Sequence, residues 1–529
     1  MNNKLISFDT DQIMNYVFAT TRLKDIRGAS TLLDELNRRK MLKIVRQHGG
    51  ESAEQIYANG GGALFHVPEG AAQAIIDEIQ TVYRTRTHSA SVSASQVMWT
   101  NDNASTEKTQ EAWTQLSLHL RLMKDANADH QTVLTHPLLQ PCDACGVYYA
   151  EHMDSDSDGS QAILCSSCST KRDKDSEIKR EIEDALQQHR KPDRSHLWGR
   201  IIDDIQTKCP DYFGEQFLPR ANDFNELGSA SNPDGYIALI YADGDSLGRT
   251  FEAQTSLAGI KKLSEAIDTS MQAAVVEAIT RHLKPDQHSN CLPFDILMLG
   301  GDDLVMVTTA QHGIETALTI VEQFPHLVKA SCGQDAALSA AVVIARASFP
   351  IRSLIELTKS ALKFAKTQKK KARISEGVIN FLVVNSSNHL EFNNYYKEVF
   401  TTERNQNGER LVRTMRPYTA HDLHTLLQAR RELEGVSTSK LEQLRAAVFK
   451  SRYKAIFESR QALLRWRGDK TYRQKIQDLV EVFANSDSLD TFPWAYQAVS
   501  NNQADYVTPL ADLVELYDFI HVERGNNAN

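Results

Sequence analysis

The stretch Phe294–Thr309, FDILMLGGDDLVMVTT, decides the reading of this 529-residue chain. It is an apolar, strand-forming run interrupted by two glycines and two aspartates, Asp302 and Asp303. Gly300 and Gly301 suit a tight hairpin turn and let backbone approach a ligand with no Cβ in the way. The aspartates need another reason, because a desolvated carboxylate costs several kcal/mol unless a cation or donor network offsets it.

Working outward, the chain repeats itself. ISFDTDQIMNYVF (Ile6–Phe18) and LIYADGDSLGRTF (Leu239–Phe251) are each a short apolar strand ending in Asp-x-Asp, at Asp9 and Asp11 and again at Asp243 and Asp245. The second halves match as well: ANGGGALFHV (Ala58–Val67) stands to the first motif as MLGGDDLVMV (Met298–Val307) stands to the second. Aligning Leu64 with Leu304 superposes Gly60 and Gly61 on Gly300 and Gly301, and puts Gly62 and Ala63 where the second copy has its aspartates. The first copy keeps the glycine turn and has lost the acidic pair.

Between the two halves of each copy the apolar spacing is helical, at Leu23, Ile26, Leu32, Leu33 and Leu36 and again at Leu263, Ile267, Met271, Val275 and Ile279. After the second hairpin come a strand (ALSAAVVIARAS), an amphipathic helix opened by Pro350, and another strand (GVINFLVVN). Strands lining one layer and helices covering it make an α+β fold.

Phosphoryl transfer requires charge on the phosphates to be neutralised and an attacking hydroxyl to be made more acidic, and two divalent metals held ~3.5–4 Å apart do both. Asp243 at a strand end and Asp302 and Asp303 on a neighbouring hairpin offer hard oxygen ligands for magnesium or manganese. Gly244, Asp245 and Ser246 lead into a helix start whose N–H groups suit triphosphate oxygens. Lys366, in FAKTQKKK, is a natural point charge for the terminal phosphates. DGDSLGRT is one residue short of a nucleotide P-loop and has Arg249 where lysine is required.

Cys142, Cys145, Cys165 and Cys168 form CxxC, nineteen intervening residues, CxxC, the spacing of a closed four-thiolate structural zinc site. DSDSDG (Asp154–Gly159) imitates a calcium loop, but Cys165 stands where its bidentate Glu belongs, so it reads as a solvated acidic loop. Past residue 389 the pattern turns mainly helical. Ser439 and Glu442 have capping-box spacing, Asn407-Gly408 suits a hairpin turn, and Arg445, Lys450, Arg452, Lys454, Arg460, Arg465, Arg467 and Lys470 concentrate positive charge. That face is either solvated or a docking surface for RNA or a companion subunit. The tail RGNNAN reads as disordered.

At GGDD, the repeat and the cysteine module, the chain resembles the large palm-domain subunit of type III CRISPR effector complexes, the CRISPR polymerase family. That resemblance implies two ferredoxin-like, GGDEF-related palms: a degenerate one over residues 1–120 and a catalytic one over 233–388. A zinc-binding and helical linker module (121–232) would lie between them and a helical domain (389–529) would follow. It implies conversion of ATP to cyclic oligoadenylate messengers at Asp243, Asp302 and Asp303, with effector subunits and guide or target RNA as partners. It also implies a second ATP held by the metal-free palm, where Gly60–Gly62 and RGAS (Arg27–Ser30) match, with Ser30 and Gly61 lining the acceptor pocket. Many members begin with an HD nuclease domain. Here the first palm begins near Met1 and the one His-Asp dipeptide, His421-Asp422, suits a helix start, so DNA cleavage is not expected.

A net charge of −9 argues against coating nucleic acid through bulk charge. No apolar run is long enough to span a bilayer and Asp9 interrupts any signal-peptide core, so a cytoplasmic location without membrane association is expected. A GGDEF-like cyclic dinucleotide synthase is disfavoured by two unequal palms. A non-catalytic RNA-binding scaffold gives the intact acidic residues no physical purpose. A template-directed polymerase shares the same metal logic.

Overall fold

The computed structural model describes residues 3–99, 106–127, 138–155, 161–188, 190–214, 218–286, 289–384, 391–466, 470–483, 491–499 and 503–520. Most of the acidic loop Asp154–Gly159, Arg467 and the tail RGNNAN lie outside the described residues.

The first half-repeat folds as β1 (Asn3–Thr10), a short α1 (Ile13–Val17), and α2 (Leu23–Glu35), which continues through a π turn into α3 (Met41–Gly49). The hairpin β2 (Glu54–Asn59) and β3 (Gly62–Pro68), α4 (Glu69–Thr87) and β4 (Val92–Trp99) complete a sheet of order β2-β3-β1-β4. α5 (Thr106–Asn127) packs on β4 and runs past the expected boundary at 120. The cysteine module is the hairpin β5 (His152–Ser155) and β6 (Gln161–Leu164), followed by α6 (Ser166–Gln187), α7 (Leu197–Lys208) and α8 (Phe224–Ser229).

The second half-repeat runs β7 (Tyr236–Gly244), α9 (Leu247–Glu252), α10 (Leu257–His282), β8 (Phe294–Gly300), β9 (Asp303–Thr309), α11 (Gly313–Cys332) and β10 (Leu338–Arg346). Its strands order as β10-β7-β9-β8, the same β-α-β-β-α-β topology as the first sheet. α12 (Ile351–Ala372) and β11 (Val378–Val383) extend it, with Pro350 capping α12 as the sequence suggests. β7 is buried on both faces. Ala238, Ile240 and Ala242 join the core under α10 and α11, while Ile237, Leu239 and Tyr241 join a core shared with β1, α2 and α4 of the first palm. The two palms therefore share apolar core. The contact is reciprocal: α2 packs on β8 and α10 packs on β2.

The C-terminal region holds α13 (Phe392–Tyr395), β12 (Glu409–Val412), β13 (Tyr418–Thr419), α14 (Ala420–Glu432), α15 (Thr438–Val448), α16 (Arg452–Arg465), α17 (Lys470–Val482), β14 (Ala495–Val499), β15 (Gln503–Val507) and α18 (Leu510–Leu516). It is not purely helical: β12, β15 and β14 form a sheet, and β13 joins the second palm through β11. Gly408, at φ 74°, makes the turn before β12, and Thr419 caps α14 by accepting from the Asp422 N–H. The Ser439/Glu442 capping box does not form, because α15 begins two residues too early for it: Ser437 is the N-cap and Glu442 pairs with Arg445. Among the described residues, no helix is long and apolar enough to cross a membrane.

Candidate active site

The two glycine hairpins correct the sequence alignment by one residue. Asn59 pairs with Gly62 across the first turn and Gly300 pairs with Asp303 across the second, and each hairpin carries its bulge three residues before that point, after Gln55 and after Ile296. Gly60 is thus equivalent to Gly301, and Gly61 and Gly62 occupy the positions of Asp302 and Asp303. Leu64 matches Val305, not Leu304. The residues around the two Asp-x-Asp motifs also correspond. Asp9 stands opposite Ser93 as Asp243 stands opposite Ser339. Asp11 accepts from the Ser93 hydroxyl at 2.7 Å, and Asp245 from the Ser339 hydroxyl at 2.7 Å.

Asp243 ends β7, and Asp302 and Asp303 sit at the neighbouring β8–β9 turn, so sheet pairing alone brings the three carboxylates together. A Cβ on Gly244 would lie 2.4 Å from a Leu247 methyl and 2.5 Å from an Asp302 carboxylate oxygen, so a larger residue there would displace the Asp302 side chain. Burial first, and then the charge of Asp243, pushes the Asp302 carboxyl up to about 6. The same causes, with Asp302 added, push Asp303 up to about 8. Tyr241, one strand position from the site, has its phenol pushed up by burial and then by Asp303 and Asp243.

Lys366 donates to Asp243 and, at 2.7 Å, to the Gly244 carbonyl. Lys369 donates to Asp245 at 2.7 Å, and Ser246 adopts a left-handed φ of 60° just before α9. In the first palm the corresponding Asp9 is bound by Lys124 at 2.5 Å. The donor set of the second palm, three crowded carboxylates, suits a hard divalent cation such as magnesium or manganese.

A narrow cleft with about 100 Å³ of water-accessible space lies between the palms. Gly60, Gly61 and Ser30 line it from the first palm, and Gly300, Asp303 and Tyr241 from the second. Of RGAS only Ser30 reaches it. Arg27 is buried against Asp175 at 2.9 Å and Asp295 at 2.7 Å, and Gly28 lets α6 approach α2. Sequence reading missed Arg38 and Asp268. Arg38 lines the cleft and grips Asp268 at 2.6 Å, and Asp268 accepts from the Gly301 N–H at 3.2 Å. The i,i+4 spacing of Asp34, on α2, and Arg38, in the π turn after it, can be read from the sequence, but the Asp268 partner 230 residues away cannot.

The four cysteine sulfurs lie within 4.8 Å of one another, and Cys145 and Cys165 are 3.8 Å apart. A tetrahedral zinc with bonds of about 2.3 Å spaces its sulfurs by about that distance. Cys142, Cys145, Cys165 and Cys168 therefore fit zinc.

Residues 236–375 match the family described as Cas10/Cmr2, second palm domain. This segment is similar to a Cas10/Cmr2 second palm domain. The Cas10-type fold extends beyond it. Csm1 of T. onnurineus matches at 14% identity and TM-score 0.55, covering 98% of this chain and 70% of that one. A Csm1–Csm4 cassette in complex with one ATP matches at 14% identity and TM-score 0.56, and one in complex with cA4 at 14% and 0.55, each with the same 98% and 70% coverage. No curated protein matches in sequence. The chain has the two-palm fold of a Cas10-type subunit, with the cysteine module placed between the palms in sequence.

Proposed function

We propose that the chain is a nucleotidyltransferase that joins ATP into cyclic oligoadenylates as a subunit of a type III CRISPR effector. The observation that carries this is the shared cleft, which sets Asp303 and Gly300 of one palm against Ser30 and Gly61 of the other. Likeness to Csm1 structures bound to ATP and to cA4 supports the substrate and product class.

Asp243, Asp302 and Asp303 would hold magnesium or manganese, which supplies charge neutralisation at the phosphates and a more acidic ribose hydroxyl. The chain's own residues do the rest. Gly300 lets the two glycine hairpins meet at the cleft, the Gly244–Ser246 backbone faces the donor triphosphate, and Lys366 exchanges Asp243 for phosphate oxygens. Ser30 and Gly61 line the place of the acceptor nucleotide, so that its ribose hydroxyl is held in line with the donor α-phosphate; such positioning supplies much of the rate. With both halves in one chain, a symmetric cyclase dimer is not needed. Effector subunits and guide or target RNA are the partners this reading implies.

Incubating the purified protein with each nucleoside triphosphate and magnesium or manganese, then resolving products by mass spectrometry, tests the proposal. Adenylate oligomers lost on replacing Asp302 and Asp303 with alanine are expected. Absence of products from ATP with either metal, alone and with effector subunits and target RNA, overturns it.

A further inference from the structure

The cysteine module meets the first palm through one face of α6. Ser167, Lys171, Arg172 and Asp175 are all buried there. α2 accepts this face at close range: a Cβ on Gly28 would fall 1.7 Å from the Lys171 carbonyl oxygen. Arg172 pairs with Asp25 at 3.1 Å and Asp175 with Arg27 at 2.9 Å, so these charges are matched across the interface.

Lys171 is different. It is 1% exposed, yet among the described residues it pairs with no carboxylate. Its ammonium donates to the Tyr16 carbonyl at 2.7 Å and lies 3.8 Å from the centre of the Tyr16 ring. A buried ammonium is costly without nearby negative charge, and a carbonyl with an aromatic face offsets only part of that cost. Besides burial, the groups that act most on the ammonium are Cys168, Cys145, Cys165 and Asp25, and Asp25 is already engaged by Arg172 and Thr20. Four thiolates around one zinc carry more negative charge than the ion cancels. Cys165 is the N-cap of α6 and Cys168 lies one turn before Lys171 on the same helix, so the cysteine centre is a counter-charge beside Lys171. Tyr16 also lies in its field: the phenol is buried without a hydrogen-bond partner, and Cys168 and Cys165 add to the effect of burial on it.

Tyr16 belongs to α1, and the residues around it, Ile13, Met14 and Val17, form one wall of the cleft between the palms. α1 has five residues and no side-chain cap at Gln12. A helix this short does not hold itself together. We propose that Lys171 is a positioning residue: it fastens α1 to the cysteine centre and so fixes the cleft wall, and the charge of that centre keeps the ammonium buried. The effect on ATP rests on the function proposed above, whereas the fastening does not.

Hydrogen exchange on the intact protein tests this at the α1 amides, of which Asn15 and Tyr16 donate to the Gln12 carbonyl and Phe18 to that of Met14. Lys171→Met keeps the length and apolar stem of the side chain and removes the ammonium. Exchange over residues 12–18 should rise about tenfold, worth ~1.4 kcal/mol, with zinc content and exchange in α2 unchanged. Lys171→Gln, which keeps a donor, should recover part of the protection. Chelating zinc should loosen the same segment by a larger factor in the native protein than in Lys171→Met, which has already lost that part of the fastening. In ATP turnover, Lys171→Met should raise KM several-fold and leave kcat within about twofold. Unchanged α1 exchange in Lys171→Met, a rise spread equally over α2 and α6, or equal chelation effects in both proteins would overturn the proposal. If exchange responds as described while ATP is not a substrate, the fastening stands and the proposed function falls.

Discussion

Gly60 and Gly300 touch backbone to backbone at the junction of the palms: a Cβ on Gly300 would lie 2.9 Å from the Gly60 Cα, and one on Gly60 would lie 3.0 Å from the Gly300 carbonyl oxygen. Neither backbone has a flexible end that could swing aside. Gly300→Ala should therefore push the hairpins apart and cost ~1–3 kcal/mol, as overpacking does. Its urea midpoint should fall without a change in slope, and product formation should fall with it. An unchanged midpoint would mean that the hairpins do not meet.

The acidic site should make metal-free stability depend on pH. An unfolded aspartate titrates near ~3.9, whereas the folded protein holds the Asp303 proton up to about 8. Folding retains a proton that the unfolded chain releases, so this group's contribution is fully present below about pH 4 and is lost as pH rises through about 8. Asp303→Asn has no such dependence. In magnesium-free buffer its melting temperature should exceed that of the native protein by more at pH ~8 than at pH ~5. Magnesium should then stabilise only the native protein. A pH-independent difference would contradict the crowding of Asp243, Asp302 and Asp303.

Much of this arrangement was legible in the sequence, and the misses have physical causes. Asp243, Asp302 and Asp303 were visible because charged residues inside apolar strands violate the pattern around them. The cysteines were visible because metal geometry fixes their spacing. The one-residue alignment error arose because the first turn has three glycines, Gly60–Gly62, against two in the second, so the glycine pair can be matched in either of two registers. RGAS could be taken only as a whole, because the buried partners that hold Arg27 away from the cleft, Asp175 and Asp295, are 148 and 268 residues away. The C-terminal sheet was missed because β12, β14 and β15 are four or five residues each, too short for a clear alternating pattern.

Zinc should be retained, at one ion per chain, by protein prepared without added metal. Replacing Cys142 and Cys165 with serine should remove it. Structural zinc supplies on the order of 10 kcal/mol of binding free energy to its module, so limited proteolysis should then cut within residues 138–188. A protease-resistant, zinc-free variant would refute a structural role.

Ser30 tests the acceptor side better than Gly61, because Gly61 sits at φ 85° and any Cβ there meets Ile13 at 2.2 Å. Ser30→Leu fills the cleft from α2 without backbone strain. It should lower the yield of linked product about tenfold or more, yet change binding of one non-hydrolysable ATP analogue at the Asp302/Asp303 side by less than about threefold. Undiminished linkage by folded protein would leave the first palm a packing partner only.

The most direct test of the two-palm account is a crystal of the protein grown with manganese and a non-hydrolysable ATP analogue, read by anomalous scattering. The account predicts a manganese peak between Asp243, Asp302 and Asp303, with one analogue on that side of the cleft and a second against Ser30 and Gly61. Analogue bound elsewhere, with no manganese at the three carboxylates, would contradict it.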